Sequence, residues 1–296
     1  MLSHLFRIRS SSIIVLAAAC ITTAVSAQQT DKAKDAPPVA PGGKMTVKKS
    51  DEPIEGERRI AFPSPYARML GIETALKKAG VQVDWAAAYQ KRAIKNLKVA
   101  DVKNDKGTLG FTLGVRLADG VIAFMGKDQG RLKACAQDVK ALAEKLGVKR
   151  DDLGSIGPLV RAVEDEDWTE IYWHMGVLQQ EVVTSLDKNK DRSMTAIIAS
   201  GAWLQGMRYA TDTILKSISK VNLSNMVRAA AIPDLLSKEL QKTPADVLEL
   251  PAVKKSIKVL DAVRPLIDVG IDADIPAEKL QEIEQLATGT IDDILQ

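Results

Sequence analysis

The stretch IIASGAWLQGMRYATDTI, residues 197–214, gives the strongest indication of how this chain folds. Its apolar and small residues recur at intervals of three and four, which is the period of an α-helix that packs along one side. Gly201, Ala202 and Gly206 place very little side-chain volume around Trp203. Because a glycine costs a helix up to about 1 kcal/mol relative to alanine, the two glycines predict a close crossing with another helix, or space for a ligand.

Helix start and stop signals recur on both sides of this stretch. Ser64 and Pro65 are a cap and a first helical position, and Gly80 follows the end of the same helix. Asp84 and Asp128 stand where two further helices are predicted to begin. No segment alternates polar and apolar residues over five or more positions, so no β-strand is predicted. The chain is expected to be all-α, an irregular multi-helix bundle of about eight to ten helices.

The N-terminus has the composition of a secretory signal peptide. Arg7 and Arg9 form a basic flank without acidic residues, and an apolar run follows that is too short to span a bilayer. The run ends in Val-Ser-Ala at Ala27, where small residues match a cleavage site. We therefore expect residues 1–27 to be removed and the protein to be exported, with no transmembrane span in the mature chain.

An alternative N-terminal processing remains open. The segment LAAAC, residues 16–20, is a loose match to a lipoprotein signal, in which Cys20 would carry the lipid. The protein would then be held at a membrane surface instead of being free in the periplasm. Residues 28–60 are rich in Pro, Gly, Lys and Asp and predict a disordered linker. Residues 61–296 are expected to form the helical domain, with a possible sub-boundary near 217–222.

Composition excludes several kinds of chemistry. Without Arg7 and Arg9 the 41 basic residues become 39, against 38 acidic ones, so the clustered positive charge that nucleic-acid binding requires is not expected. After residue 27 the chain has one cysteine, Cys135, and one histidine, His174. One thiol cannot form an intramolecular disulfide, and neither a Cys/His zinc site nor a haem attachment motif is present. We expect no metal and no cofactor, and Cys135, on an apolar helical stripe, is expected to be buried and inert.

One segment has the residue types of a catalytic site. Asp167, Glu170 and His174 are spaced i, i+3 and i+7 in a predicted helix, so they share one face. A carboxylate four residues before a histidine can orient the imidazole for base catalysis. The same acids also suit the first turn of a helix, where they cap and complement its dipole. Because no nucleophile accompanies them, these three residues are weak candidates for a hydrolase-like enzyme.

The opening stretch also carries a resemblance to a family. Together with the segment LGVRLADGVIAFMGKDQGRLKACAQDVKALAEKLGV, residues 113–148, it resembles an uncharacterised family of exported or lipid-anchored all-helical proteins from Bacteroidetes and related bacteria. The residues that carry the resemblance are Ser200, Gly201, Trp203, Leu204, Gly206, Ala210 and Thr211. The resemblance implies export and an all-α fold, and it implies no activity and no catalytic residue.

Three functions are consistent with these observations. The first is a non-enzymatic envelope protein, a helical scaffold or partner-binding module, and it is preferred because the mature chain is so poor in reactive side chains. The second is a periplasmic binder of a small apolar or amphipathic ligand, held by Trp173, Trp203, Gly206 and Met207. The third is the hydrolase-like enzyme. The expected partner is accordingly an unidentified envelope protein or a small ligand.

Overall fold

The computed structural model describes residues 65–94, 97–188, 192–270 and 273–296. These ranges contain eleven α-helices, two 3₁₀ turns and no β-strand, which confirms the prediction of an all-α multi-helix bundle. The helices are α1 (Pro65–Lys78), α2 (Trp85–Arg92), α3 (Lys106–Met125), α4 (Gln129–Lys145), α5 (Ile156–Glu164), α6 (Trp168–Lys188), α7 (Arg192–Ser217), α8 (Ala231–Gln241), α9 (Ala245–Leu248), α10 (Pro251–Ile267) and α11 (Ala277–Leu295).

Aspartate side chains fix the start of four helices. Asp84, Asp105, Asp128 and Asp167 each accept a hydrogen bond from the backbone N–H three residues later, at 2.8, 2.8, 2.9 and 3.1 Å. These bonds satisfy N–H groups that have no partner inside the helix, and each such cap contributes about 1 kcal/mol. The helix starts predicted at Asp84 and Asp128 and the capping role considered for Asp167 are confirmed, whereas the predicted cap at Ser64 lies outside the described residues.

Helices α3 and α7 form the centre of the fold. Sixteen of the twenty residues of α3 are buried, because α7 and α4 pack on it from different sides. Helix α7 in turn contacts α1, α8 and α11, while α5 and α6 pack together and α10 lies between α8 and α11. Within the described ranges α3 is the one helix long and apolar enough to cross a membrane, and 83% of its most apolar window is buried inside the fold.

Two glycines allow the backbones of α3 and α7 to come into contact. A Cβ atom built on Gly114 would overlap the carbonyl oxygen of Ile198, and one built on Gly201 would overlap that of Phe111. The close crossing predicted at Gly201 is therefore confirmed, and its partner is the buried helix α3. Gly206 does not take part in it, because the nearest atom to its built Cβ lies 4.0 Å away, in α1.

Candidate functional sites

The core of the fold contains an ionisable residue with four hydrogen-bond donors around it. Asp119, in α3, is completely buried. Its Oδ1 accepts bonds from the Gln205 side chain at 2.6 Å and the Tyr209 hydroxyl at 2.8 Å. Its Oδ2 accepts bonds from Arg116 Nη1 at 3.0 Å and from the backbone N–H of Ile94 at 3.3 Å. Burial raises the pKa of Asp119, and the Arg116 charge together with these hydrogen bonds acts in the opposite direction.

Arg116 connects this core to the surface of α4. Its Nε donates to Asp138 Oδ2 at 2.9 Å, and its Nη2 donates to the same oxygen. Its Nη1 also lies 3.4 Å from the Tyr89 hydroxyl, which in turn is 3.4 Å from Cys135 Sγ. Burial raises the pKa of the Cys135 thiol to about 12, so the thiol is protonated at neutral pH. The buried position predicted for Cys135 is confirmed.

A cleft lies above this network, between α2 and α4, with a volume of about 550 Å³. This volume is within the range of pockets that hold small molecules. The lining residues are Tyr89, Gln90, Ala93, Ile94, Leu97, Arg116, Arg131, Ala134, Gln137 and Asp138. We call this feature the α2–α4 cleft. It combines an apolar wall after α2 with a charged floor formed by Arg116 and Asp138, so it is a candidate binding site.

A second charged cluster joins α2 to α7. The buried carboxylate of Asp212 forms ion pairs with Lys91 at 2.5 Å, Arg92 at 2.7 Å and Lys216 at 2.8 Å. Arg92 also pairs with Glu284 of α11 at 2.5 Å. Burial alone would raise the pKa of Asp212, but the three cations outweigh it and hold the pKa at about 2. This cluster therefore stabilises the packing of α2, α7 and α11.

An exposed apolar surface lies on α1 and α6. Leu70, Tyr172 and Trp173 are 40%, 52% and 66% exposed. The Tyr172 ring lies 4.8 Å from the Tyr66 ring, and Trp168 is half-buried one helical turn before Tyr172. Leu70 follows Tyr66 by about one turn of α1, and Trp173 follows Tyr172 directly, about 100° further round α6. We call these five residues the aromatic face. Exposed aromatic residues grouped in this way are typical of sites where a soluble protein contacts a partner.

Two strained backbone positions border the aromatic face. Lys127 and Glu166 end α3 and α5 with φ angles of +51° and +54°, in the left-handed region. Gly80 and Gly147 occupy the equivalent positions after α1 and α4, as expected because glycine has no Cβ to clash there. Lys127, Glu166 and Trp168 line a shallow cleft of about 480 Å³. Non-glycine residues in this conformation cost about 1 kcal/mol or more each, and such strain concentrates at functional sites.

The three predicted catalytic residues are only partly brought together. Asp167 Oδ1 accepts the backbone N–H groups of Thr169 and Glu170, both at 3.1 Å, so it serves as a helix cap. Glu170 Oε2 lies 3.4 Å from His174 Nε2, and the Glu170 side chain is largely exposed. The His174 Nδ1 atom is buried and has no hydrogen-bond partner among the described residues. The arrangement supplies a carboxylate and an imidazole, and the catalytic role of these residues stays a prediction.

The four predicted ligand-binding residues lie in two different environments. Trp203 and Met207 are buried in α7, with Gly206 between them, whereas Trp173 is on the surface of α6. The indole N–H of Trp203 is buried without an acceptor in the described part of the chain. Met207 Sδ accepts a bond from Arg68 at 3.3 Å. The proposed ligand at this position stays a prediction.

The sequence-based reasoning missed the network around Asp119. A signal was present, because Arg116 and Asp119 are charged residues at i and i+3 inside an otherwise apolar helix. Such residues are rarely buried unless they are paired. Their partners Gln205 and Tyr209 are about ninety residues away in the sequence, so the pairing itself could not be derived.

Comparison with known proteins adds no assignment to these sites. No protein-family model matches the chain. No curated protein and no solved structure is detectably similar to it either. Across the described ranges, no group of three or more His, Cys, Asp or Glu side chains is placed to hold a metal ion. The resemblance to exported helical proteins stays a prediction.

Proposed function

We propose that this protein is an exported, non-enzymatic helical module that binds a protein partner through the aromatic face. The observation that carries the proposal is the concentration of aromatic residues at one surface. The sequence has only twelve aromatic residues, four each of Trp, Tyr and Phe. Four of them, Tyr66, Trp168, Tyr172 and Trp173, belong to the aromatic face, and Phe124 packs behind it against Tyr66 and Trp168. Trp and Tyr are the residues that most often dominate the energy of protein interfaces.

The charge around the aromatic face indicates the chemistry of the partner. Glu164, Asp165, Glu166, Asp167 and Glu170 are all exposed at or near the start of α6. Glu164 has an ion pair with Lys133 at 2.5 Å, and Lys127 Nζ lies 5.8 Å from the centre of the Trp168 ring. The other four carboxylates outnumber Lys127, which leaves a negative excess around the turn. A basic partner segment would be attracted to this rim, whereas an acidic one would be repelled. The partner best suited to the surface is an amphipathic basic helix, with apolar residues on one side and Lys or Arg on the other.

The apolar area that a partner could bury on Trp173 and Tyr172 indicates that the aromatic face and the acidic residues around it both contribute to binding. The exposed parts of Trp173 and Tyr172 amount to about 200 Å², which corresponds to roughly 5 kcal/mol when buried. Association itself costs on the order of 4–15 kcal/mol in lost translational and rotational freedom. The aromatic anchors alone are therefore too small for stable binding, and contacts with the acidic rim are required.

A peptide titration tests this proposal. A fluorescein-labelled helical peptide of Leu and Lys, with all Leu on one face, is titrated with the protein and followed by fluorescence anisotropy. A peptide with Glu in place of every Lys is the charge control. We expect the Lys peptide to bind at micromolar Kd and the Glu peptide not to bind. Trp173→Ala is expected to weaken binding at least tenfold, because it removes the most exposed anchor.

Leu235→Ala is the matched control variant for this experiment. Leu235 is an exposed apolar residue of α8, 43% exposed, and it does not belong to the aromatic face. Its removal is expected to leave the Kd unchanged. Equal losses in Leu235→Ala and Trp173→Ala, or equal binding of the two peptides, would contradict the proposed site.

The proposal of export is supported by residues 1–27 and is tested separately. Mass spectrometry of the protein from envelope fractions should find either a chain that begins at Gln28 or a lipid-modified chain that begins at Cys20. A chain that retains Met1 in the cytoplasmic fraction would contradict export. The ligand-binding and hydrolase hypotheses are less well supported, because Trp203 is only 3% exposed and the Asp167 carboxylate is engaged as a cap.

A further inference from the structure

We propose that Gly176, in the interior of α6, receives a Leu or Met side chain of the bound partner helix. This inference rests on the proposed function, because Gly176 lies beside Tyr172 and Trp173 of the aromatic face, and it adds how the partner lies on that face. Three observations carry it: the fold does not require this glycine, large exposed aromatic residues border it, and other helix glycines of this chain are filled in the same way.

The fold itself does not require a glycine at position 176. Gly176 is exposed, and its backbone is that of an ordinary helix within Trp168–Lys188. No atom of the described residues outside its own stretch of α6 lies within 4 Å of a Cβ atom built on it. Glycine is the poorest helix former after proline, because it has the most backbone freedom to lose. The open space above Gly176 is therefore not explained by packing within the described part of the chain.

Large apolar side chains border this open space. Tyr172 and Trp173 precede Gly176 by four and three residues, so both are its direct neighbours on the surface of α6. In the described ranges they are the most exposed of the large hydrophobic side chains. Exposed Thr169 completes a set at i, i+3, i+4 and i+7, which is the set of four residues that surrounds one side chain of a facing helix in knobs-into-holes packing. We call these four residues the α6 hole; all are uncharged, and Gly176 is its floor.

Other helix glycines of this chain show what fills such a space. In three cases a Leu or Met side chain from another segment lies within 3.2 Å of the position that a Cβ atom on the glycine would take. The pairs are Gly71 with Met226, Gly107 with Leu250, and Gly110 with Met194. Neither side chain is branched at Cβ, so each can reach into the gap that a glycine leaves. The α6 hole has the same form on the surface, where a Leu or Met side chain of a partner helix would complete it.

The charge next to the α6 hole favours a basic helix as the source of that side chain. Glu170 directly follows Thr169 and has a largely exposed carboxylate. Its one ion pair in the described part of the chain is with His174, at 3.4 Å. A partner helix with its Leu over Gly176 and Lys or Arg on its flank would place a cation near Glu170.

Anisotropy titration of the labelled Lys peptide with full-length Gly176→Leu tests the inference. The new side chain fills the α6 hole, so we expect the Kd to rise at least tenfold. The same substitution should raise the Tm by up to about 4 °C, because leucine is a better helix former than glycine. A measured rise in the Tm would show that the weaker binding does not come from loss of folded protein.

Gly289→Leu is the matched control variant. Gly289 is an exposed glycine of α11, and a Cβ atom built on it also has no atom of the described residues outside its own stretch of helix within 4 Å. The large aromatic residues that border Gly176 are absent from the exposed side chains of α11. Gly289→Leu should therefore raise the Tm in the same way and leave the Kd unchanged.

The possible outcomes separate this inference from the proposed function. If Gly176→Leu binds the Lys peptide as tightly as the unmodified chain while Trp173→Ala binds it more weakly, the α6 hole is not filled and the proposed function stands. Equal losses of affinity in Gly176→Leu and Gly289→Leu would also overturn the inference. If the unmodified chain does not bind the Lys peptide, the proposed function and this inference are both wrong.

Discussion

Substitution of alanine for Gly201 and for Gly206 should change the stability of this protein in opposite directions, although both glycines lie in α7. Alanine is the better helix former by up to about 1 kcal/mol, so both substitutions gain the same favourable contribution. They differ in what the new methyl group meets. At Gly201 it would overlap the Phe111 carbonyl oxygen and lie 3.0 Å from the carbonyl carbon, whereas at Gly206 its nearest neighbour is Pro65 Cβ at 4.0 Å.

The size of the stability loss expected for Gly201→Ala follows from the atoms that must move. The obstruction at Gly201 is backbone of α3, which is held on all sides, so α3 and α7 would have to separate by about 1 Å. A gap of that size loses between a quarter and a half of the dispersion energy of the contacts that it opens. Overpacking in cores typically costs about 1–3 kcal/mol, and backbone overlap belongs at the upper end. After the helix propensity is included, we expect Gly201→Ala to destabilise by about 2–3 kcal/mol and Gly206→Ala to stabilise by up to about 1 kcal/mol.

Urea unfolding followed by circular dichroism at 222 nm measures both changes, and thermal unfolding provides a second measurement. For a domain of this size, 1 kcal/mol corresponds to about 2–4 °C in Tm. The Tm of Gly201→Ala should therefore fall by about 4–12 °C while that of Gly206→Ala rises by a few degrees. If Gly201→Ala is as stable as the unmodified chain, the backbones of α3 and α7 are not in contact and the description of the core is wrong.

Three further predictions concern other parts of the molecule. Glu166→Gly should raise the free energy of unfolding in urea by about 1 kcal/mol, because glycine adopts the left-handed conformation after α5 without a Cβ clash. A lower free energy of unfolding would contradict the proposed backbone strain at Glu166. The Cys135 thiol, with its pKa raised to about 12, should react with a disulfide reagent at pH 7.5 only as fast as the protein opens, and reaction as fast as free cysteine would contradict its burial. The pKa of Asp212 is lowered from 3.8 to about 2, so its contribution of about 2 kcal/mol is complete above about pH 5 and is lost progressively as the pH falls toward 2. In Asp212→Asn this loss in the free energy of unfolding should be absent when urea unfolding is measured at pH 2, 3 and 5. An unchanged pH dependence of the unfolding free energy would contradict the ion pairs.

Local features of this fold could be predicted from the sequence because local interactions cause them. The caps at Asp84 and Asp128 depend on backbone N–H groups only three residues away, and the turn at Gly80 depends on its own φ angle. The burial of Cys135 follows from apolar residues at helical spacing on α4. In each case the relevant partners lie within about one or two helical turns, where the sequence displays them directly.

The candidate sites depend on contacts between distant segments, which one sequence does not display. Trp173 and Trp203 both lie in long helices with a glycine three residues later, yet one is on the surface and the other is buried. The reason is that α7 is enclosed by other helices whereas α6 lies at the surface. The α2–α4 cleft likewise arises from the way α2 and α4 lie over α3. Periodicity indicates that a helix has an apolar side, but it does not identify the helix that will cover that side.

The charged pair inside α3 has a consequence for a chain that is exported as proposed. Such a chain passes through a translocation channel unfolded, and an apolar segment of twenty residues can halt there and leave sideways into the lipid. Arg116 and Asp119 lie near the middle of α3, where each charge opposes lipid insertion by about 2.5–3.5 kcal/mol. Before folding, neither charge has its native partners, so together they favour complete passage of the segment. In an exported chain, the residues that later join four helices in the core would thus also help to deliver the most apolar helix to the far side of the membrane.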